Sequence, residues 1–210
     1  MGIARATTVL FAGIAVIAAA CSSVPEPTTT IGAAPPGTTT AISNQGGTSE
    51  GHTPTDFPGT GPGLFVGDNL NASFPDGVGV QTYLEFALPA DIDATTAILR
   101  SDRLITSGTP FEDLGPLVAE VVVYDTFGPD LFNLTATGPS APCLVIGGTT
   151  LECDVGSAVQ NAASAGQSTV QFRLRFEIPG DNDGVQDLAM FYRTDSNTNE
   201  AGLFELVIEG

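Results

Sequence analysis

The most regular stretch of the chain is residues 169–178, Thr-Val-Gln-Phe-Arg-Leu-Arg-Phe-Glu-Ile. Val170, Phe172, Leu174, Phe176 and Ile178 alternate with Gln171, Arg173, Arg175 and Glu177. That period of two is the mark of a strand with one face in a core and the other turned outward. Residues 80–88 repeat it, with Val80, Leu84, Phe86 and Leu88 on one side, Tyr83 and Glu85 on the other, and Pro89 ending the run. Shorter apolar runs at 64–66, 97–100, 117–124, 131–134, 144–146, 188–192 and 203–209 predict further strands. Gly, Pro, Asn and Asp separate most of them and supply ordinary turn chemistry. Helical spacing occurs at 157–165, where Ala158, Val159, Ala162 and Ala163 recur. The pattern predicts an all-β head at 63–210, an antiparallel β-sandwich or jelly roll with one short helix.

Upstream of the head the pattern changes twice. Residues 22–61 contain Pro25, Pro27, Pro35, Pro36, Pro54 and Pro58 among Thr, Gly, Ser, Asn and Gln, with few large apolar side chains. Such a segment buries too little to offset the entropy of ordering it, so 21–62 reads as a disordered Thr/Pro/Gly-rich tether. Before it, Arg5 precedes an apolar run from Val9 to Ala20, which is too short to span a membrane comfortably and fits a signal peptide at 1–20. Cys21 directly after Ala18-Ala19-Ala20 resembles a bacterial lipobox. The resemblance implies cleavage before Cys21 and its acylation, which anchors the chain to a membrane with the head extracellular or periplasmic. Ordinary secretion with cleavage after Ala20 is the alternative.

Charge and residue counts exclude several functions. The 210 residues carry 6 Arg, no Lys, 24 acids and a formal charge of −18, the reverse of a nucleic-acid footprint. The single histidine, His52, lies in the tether, so neither a histidine metal cluster nor a Ser/His/Asp triad is expected. No motif pairs two acids at a cleft as glycoside hydrolysis requires, and Glu85 and Glu120, within strand patterns, read equally well as outward-facing solubility residues. The chain is not expected to be an enzyme, and no cofactor is required.

Cys143 and Cys153 flank a stretch in which Gly147, Gly148 and Thr149 can form a three-residue hairpin loop. In that register Ile146 faces Thr150 and Cys143 faces Cys153, so a disulfide can cross the hairpin in an oxidising compartment. A redox or metal pair is the alternative, but it lacks a CxxC spacing and His or further Cys partners.

Residues 81–92, Gln-Thr-Tyr-Leu-Glu-Phe-Ala-Leu-Pro-Ala-Asp-Ile, followed by Ala97-Ile-Leu-Arg100, resemble the opening of DNRLRE-type domains, relatives of the disaggregatase repeat. Residues 153–160, Cys-Asp-Val-Gly-Ser-Ala-Val-Gln, resemble their helix-like segment, and 172–176, 191–192 and 204–208 their last strands. Glu85 stands where the family has a basic residue, and the Trp often found after the helix-like segment is absent. The resemblance implies a β-sandwich carbohydrate-binding module, here on a lipid anchor, with polysaccharide as partner. Sugar rings stack on exposed aromatics beside polar groups, so the candidates are Tyr83, Tyr124, Phe127 and Tyr192 with Asp125, Arg173, Arg175 and Arg193. Two further readings stand beside it: a structural or adhesive surface protein without a glycan ligand, and a polysaccharide hydrolase or lyase.

Residues 180–187, Gly-Asp-Asn-Asp-Gly-Val-Gln-Asp, raise the question of structural calcium on Asp181, Asp183 and Asp187. The EF-hand pattern fails, because Pro179 and Met190 stand where its first and last acids belong. A solvated turn has the same residue types.

Overall fold

The computed structural model describes residues 28–32, 40–45, 48–52, 63–68, 79–92, 96–125, 129–192 and 204–210. In it the alternating segments become strands. The head contains β4 (Gly63–Asp68), β5 (Gly79–Ala87), β6 (Thr96–Ser101), β7 (Leu104–Ser107), β8 (Leu117–Val122), β9 (Ala141–Ile146), β10 (Thr150–Asp154), β11 (Thr169–Phe176), β12 (Asp187–Tyr192) and β13 (Glu205–Glu209). Among the described residues the α-helices are a single turn, α1 (Pro110–Asp113), and α2 (Gly156–Ser164), the short helix that the alanine spacing predicts. The all-β antiparallel, sandwich-like class read from the sequence is the fold observed: every pairing among the described strands is antiparallel.

The strands follow the order β13-β6-β10-β9-β8-β11-β5-β4-β12-β7 in space. Between β8 and β9 the contact narrows to Val118 opposite Pro142 and Ala119 opposite Ala141, and there the sheet curls over on itself. Leu99, Leu151 and Leu206 from one half then share a core with Leu84, Phe86, Phe172 and Phe191 from the other. Phe86, Phe172, Phe176, Phe191 and Phe204 are fully buried. Each such side chain contributes roughly 2–3 kcal/mol relative to an exposed one. Helix α2 lays Val159 and Ala162 against the same core.

Three strands fall inside the segment whose composition reads as a tether: β1 (Thr28–Gly32), β2 (Thr40–Gln45) and β3 (Thr48–His52). β1 pairs with β13, while β2 pairs with both β3 and β5. Strand addition uses backbone donors and acceptors, which threonine-rich chain supplies without apolar side chains, so composition does not announce it. Ile31 adds an apolar contact by packing against the main core. For these residues the tether expectation gives way to added strands.

The strand expected at 131–134 is instead a 3₁₀ turn at Pro129–Asn133, closed by Leu134 N–H donating to Leu131 O at 2.9 Å. Pro129 opens it with a φ already fixed for a helical first turn. The β9–β10 hairpin has the register read from the sequence: Ile146 opposes Thr150 and Cys143 opposes Cys153. Gly147 (φ 60°) and Gly148 (φ 81°) occupy left-handed positions in its loop. The Cys143–Cys153 disulfide is formed, with Cα atoms 4.1 Å apart. This bond fits an oxidising compartment outside the cytosol. Among the described residues no helix is long and apolar enough to cross a membrane.

Candidate functional site

Tyr83, Arg173 and Arg175 fall on the polar faces of their strands, an arrangement that predicts one shared outer surface. Register does place them together: Tyr83 lies opposite Arg173, and Arg173 opposite Glu120. Solvent, however, is largely excluded. The turn at Pro129–Asn133 folds over this face, and Tyr83, Val122 and Leu131 form a second small core with Tyr124, Phe132 and Leu134 half-buried around it. Tyr83 is 0% exposed, and its hydroxyl donates to Leu131 O and lies 3.0 Å from Gln81 Oε1. Burial pushes that hydroxyl up to about 12, against the lowering influence of Arg173. The Tyr124 ring meets Tyr83 edge-on at 5.9 Å, and its hydroxyl oxygen is buried. Burial, then the charge of Glu85, raises its pKa as well.

Arg173 is a buried strut. Its Nε donates to Glu120 Oε2 at 2.9 Å, its Nη2 donates to the same oxygen, and Nη1 reaches Leu134 O at 2.7 Å and Phe132 O at 3.4 Å. One guanidinium therefore ties the sheet to the turn that covers it. Arg175 donates from Nε to Glu120 Oε2 at 3.0 Å, from Nη2 to Oε1 at 2.7 Å, and from Nη1 to Phe176 O at 3.1 Å. Glu120 is thus shared by two guanidinium groups and is itself only 5% exposed. Burial alone would raise its carboxyl; hydrogen bonds from Arg175 and Arg173 outweigh that and hold it below the usual carboxylate range. The expectation that Glu120 faces water as a solubility residue is overturned by its two arginine partners. Glu85 is half-buried and accepts from Gln171 Nε2, whose amide also bonds the backbone of Tyr124.

Beside this cluster lies an open pocket of about 260 Å³. Gln81, Phe132, Asn133, Arg173, Arg175 and Pro179 line it, together with the backbone of Gly67 and Gly79. Arg175 is its one partly exposed cation, with 31% of its side chain open. Among the described residues its guanidinium makes three hydrogen bonds, of the five it can donate. Gln81 and Asn133 add amides, and Phe132 and Pro179 an apolar wall. Gly79 is required there, because a Cβ would stand 2.4 Å from Pro179 O.

Of the predicted sugar contacts, the structure brings Tyr83, Tyr124, Arg173 and Arg175 together, burying Tyr83 and Arg173 and leaving Tyr124 and Arg175 partly open. The physical reason is the 129–134 turn, which converts a polar sheet face into a second core. Asp125 is exposed just beyond β8. Tyr192 closes β12, and its side chain lies outside the described residues, as do Phe127, Arg193 and Cys21. Gln81, Phe132 and Asn133 were not anticipated. Glu120 had a visible signal, a lone charge in Leu-Val-Ala-Glu-Val-Val, a strand apolar on both faces. The loop acids come together but differ in burial: Asp181 and Asp183 are exposed, and Asp187 is buried.

The fold and these sites describe an antiparallel, disulfide-tied β protein with a polar pocket on one sheet face. Comparison with protein-family models and with curated proteins gives no match.

Proposed function

We propose that this is an exported, lipid-anchored protein whose β head binds polysaccharide without catalysing its cleavage. The observation supporting this is the pocket where the partly exposed Arg175 guanidinium, the Gln81 and Asn133 amides and an aromatic wall converge. Sugars are held by this combination of directional donors and acceptors beside an apolar face. The lipobox resemblance at Cys21 and the DNRLRE-like motifs support the anchor and the ligand class. A non-catalytic role is supported by Glu120, the acid beside the pocket. Its carboxyl is held low by two arginines, the opposite of the raised pKa a general acid needs. The test is a glycan-array screen of the exported chain against Asn133→Ala and Arg175→Ala. Binding that both substitutions abolish, in proteins that melt cooperatively, supports the reading; a blank with the unaltered chain refutes it.

A second reading, an adhesive or structural surface protein, is favoured by the β9–β10 hairpin. Leu144, Val145 and Ile146 are exposed there in one run, Leu144 by 67%, on a scaffold clamped by the disulfide. Rigid exposed apolar groups suit protein contact. Retained glycan binding after Leu144→Ser would separate the two.

A further inference from the structure

We propose that the loop between β11 and β12 is a calcium site formed by Asp181, Asp183 and Asp187. One carboxylate oxygen from each of the three lies within 4.8 Å of the others. A trio of acids in a turn is common on protein surfaces; what distinguishes this one is Asp187. It begins β12, is 0% exposed, and uses Oδ1 to accept Thr109 N–H at 2.6 Å. Its other oxygen, Oδ2, is buried with no hydrogen-bond partner among the described residues. A buried carboxylate oxygen that has lost water and gained nothing costs the desolvation of an ion, unless a cation replaces what was lost. The two exposed acids beside it leave a route for that cation from solvent.

The surroundings hold Asp187 in place. A Cβ on Gly108 would stand 2.3 Å from its Oδ1, and one on Gly67 would stand 2.1 Å from its carbonyl oxygen. Both glycines have positive φ, 69° and 127°, so the backbone closes around this residue where other side chains could not follow. The loop is turned by Asn182 (φ 62°) and Gly184 (φ 81°). Asp181 Oδ1 accepts Asp183 N–H at 3.3 Å and Asp183 Oδ1 accepts Val185 N–H at 2.7 Å. Each carboxylate has further lone pairs for a metal. Burial raises the Asp187 carboxyl, and after the opposing Thr109 bond the charges of Asp113, Asp183 and Asp181 add to the rise. Those charges favour any cation that enters.

The donors are all hard oxygens, and two of the three acids are exposed, so water can complete a shell of six to eight ligands. That fits Ca²⁺ at 2.3–2.6 Å and not the near-ideal octahedron Mg²⁺ demands. Calcium here joins the loop to the first residue of β12 and removes the repulsion among three acids.

The test uses the exported chain stripped with EDTA and titrated with CaCl₂ or MgCl₂ by calorimetry, alongside thermal melts. The expected result is one equivalent of calcium, at the about 10⁻⁴–10⁻³ M affinity of exported modules, with a melting point that rises by several degrees as calcium saturates. Asp183→Asn, an exposed substitution, should weaken calcium binding about tenfold or more, while its melting point in EDTA is no lower than the native chain's because one of three repelling charges is gone. A chain that binds no stoichiometric calcium overturns the proposal. So does a melting point raised equally by MgCl₂, or calcium binding unchanged in Asp183→Asn, since each marks general screening of an acidic surface.

Discussion

At the scale of single residues, the outer-face cluster is governed by satisfaction of buried polar groups. Tyr83 sits under the 129–134 turn because its hydroxyl has Leu131 O to bond, and Glu120 tolerates burial because two guanidiniums face it. Tyr83→Phe keeps the ring and removes the hydroxyl, leaving the carbonyl unanswered. It should cost about 1–2 kcal/mol in urea unfolding. Glu120→Gln leaves two guanidiniums without their shared charge and should cost about 3 kcal/mol. The pH dependence follows from the lowered Glu120 carboxyl. A depressed folded pKa gives stability that is present above the unfolded value of 4.5 and lost as pH falls through the folded value. The gap in unfolding free energy between the native chain and Glu120→Gln should therefore narrow in acid. A gap that does not change with pH would contradict the ion triad. Alternation along residues 169–178 makes both faces of this strand legible, but not what covers the polar one. That depended on Pro129 and Leu131, forty residues away in sequence, whose apolar run is compatible with either strand or turn.

Among elements, the β9–β10 hairpin is the part most fully readable from sequence, because a three-residue loop with two glycines fixes register through turn geometry alone. The disulfide then closes a short loop, and replacing both Cys143 and Cys153 by Ala should cost about 2–3 kcal/mol. Calorimetry of the native chain with and without reductant checks this, and equal melting points would show that the bridge constrains little. β4 against β12 depends on a close approach that no pattern announces. A Cβ at Gly67 would come within 2.1 Å of Asp187 O, so Gly67→Ala should destabilise by several kcal/mol, near the limit of what single substitutions do. Strand β7 was missed for a related reason. Its Leu-Ile-Thr-Ser has Leu104 buried and Ile105 exposed, a pattern too short and too apolar at its start to show a period of two. β1, β2 and β3 escaped because edge pairing is a backbone property, whereas the sequence there is dominated by Thr, Gly and Pro.

For the whole molecule, acidity and architecture divide the work. A formal charge of −18 makes the molecule strongly acidic, while the arginines at β11 gather about a single carboxylate beside the pocket. The pocket's position was partly legible, since Arg175 was a candidate from its strand face. Its composition was not, because Gln81, Phe132 and Asn133 meet only after the turn folds back. The central claim is that this pocket binds polysaccharide, and its most direct measurement is a glycan-array screen of residues 22–210 with Asn133→Ala and Arg175→Ala alongside. The account predicts one class of glycan bound by the native chain and lost in both variants, each still folded by circular dichroism. A native chain that binds no glycan, or variants that bind as well as it does, would contradict it.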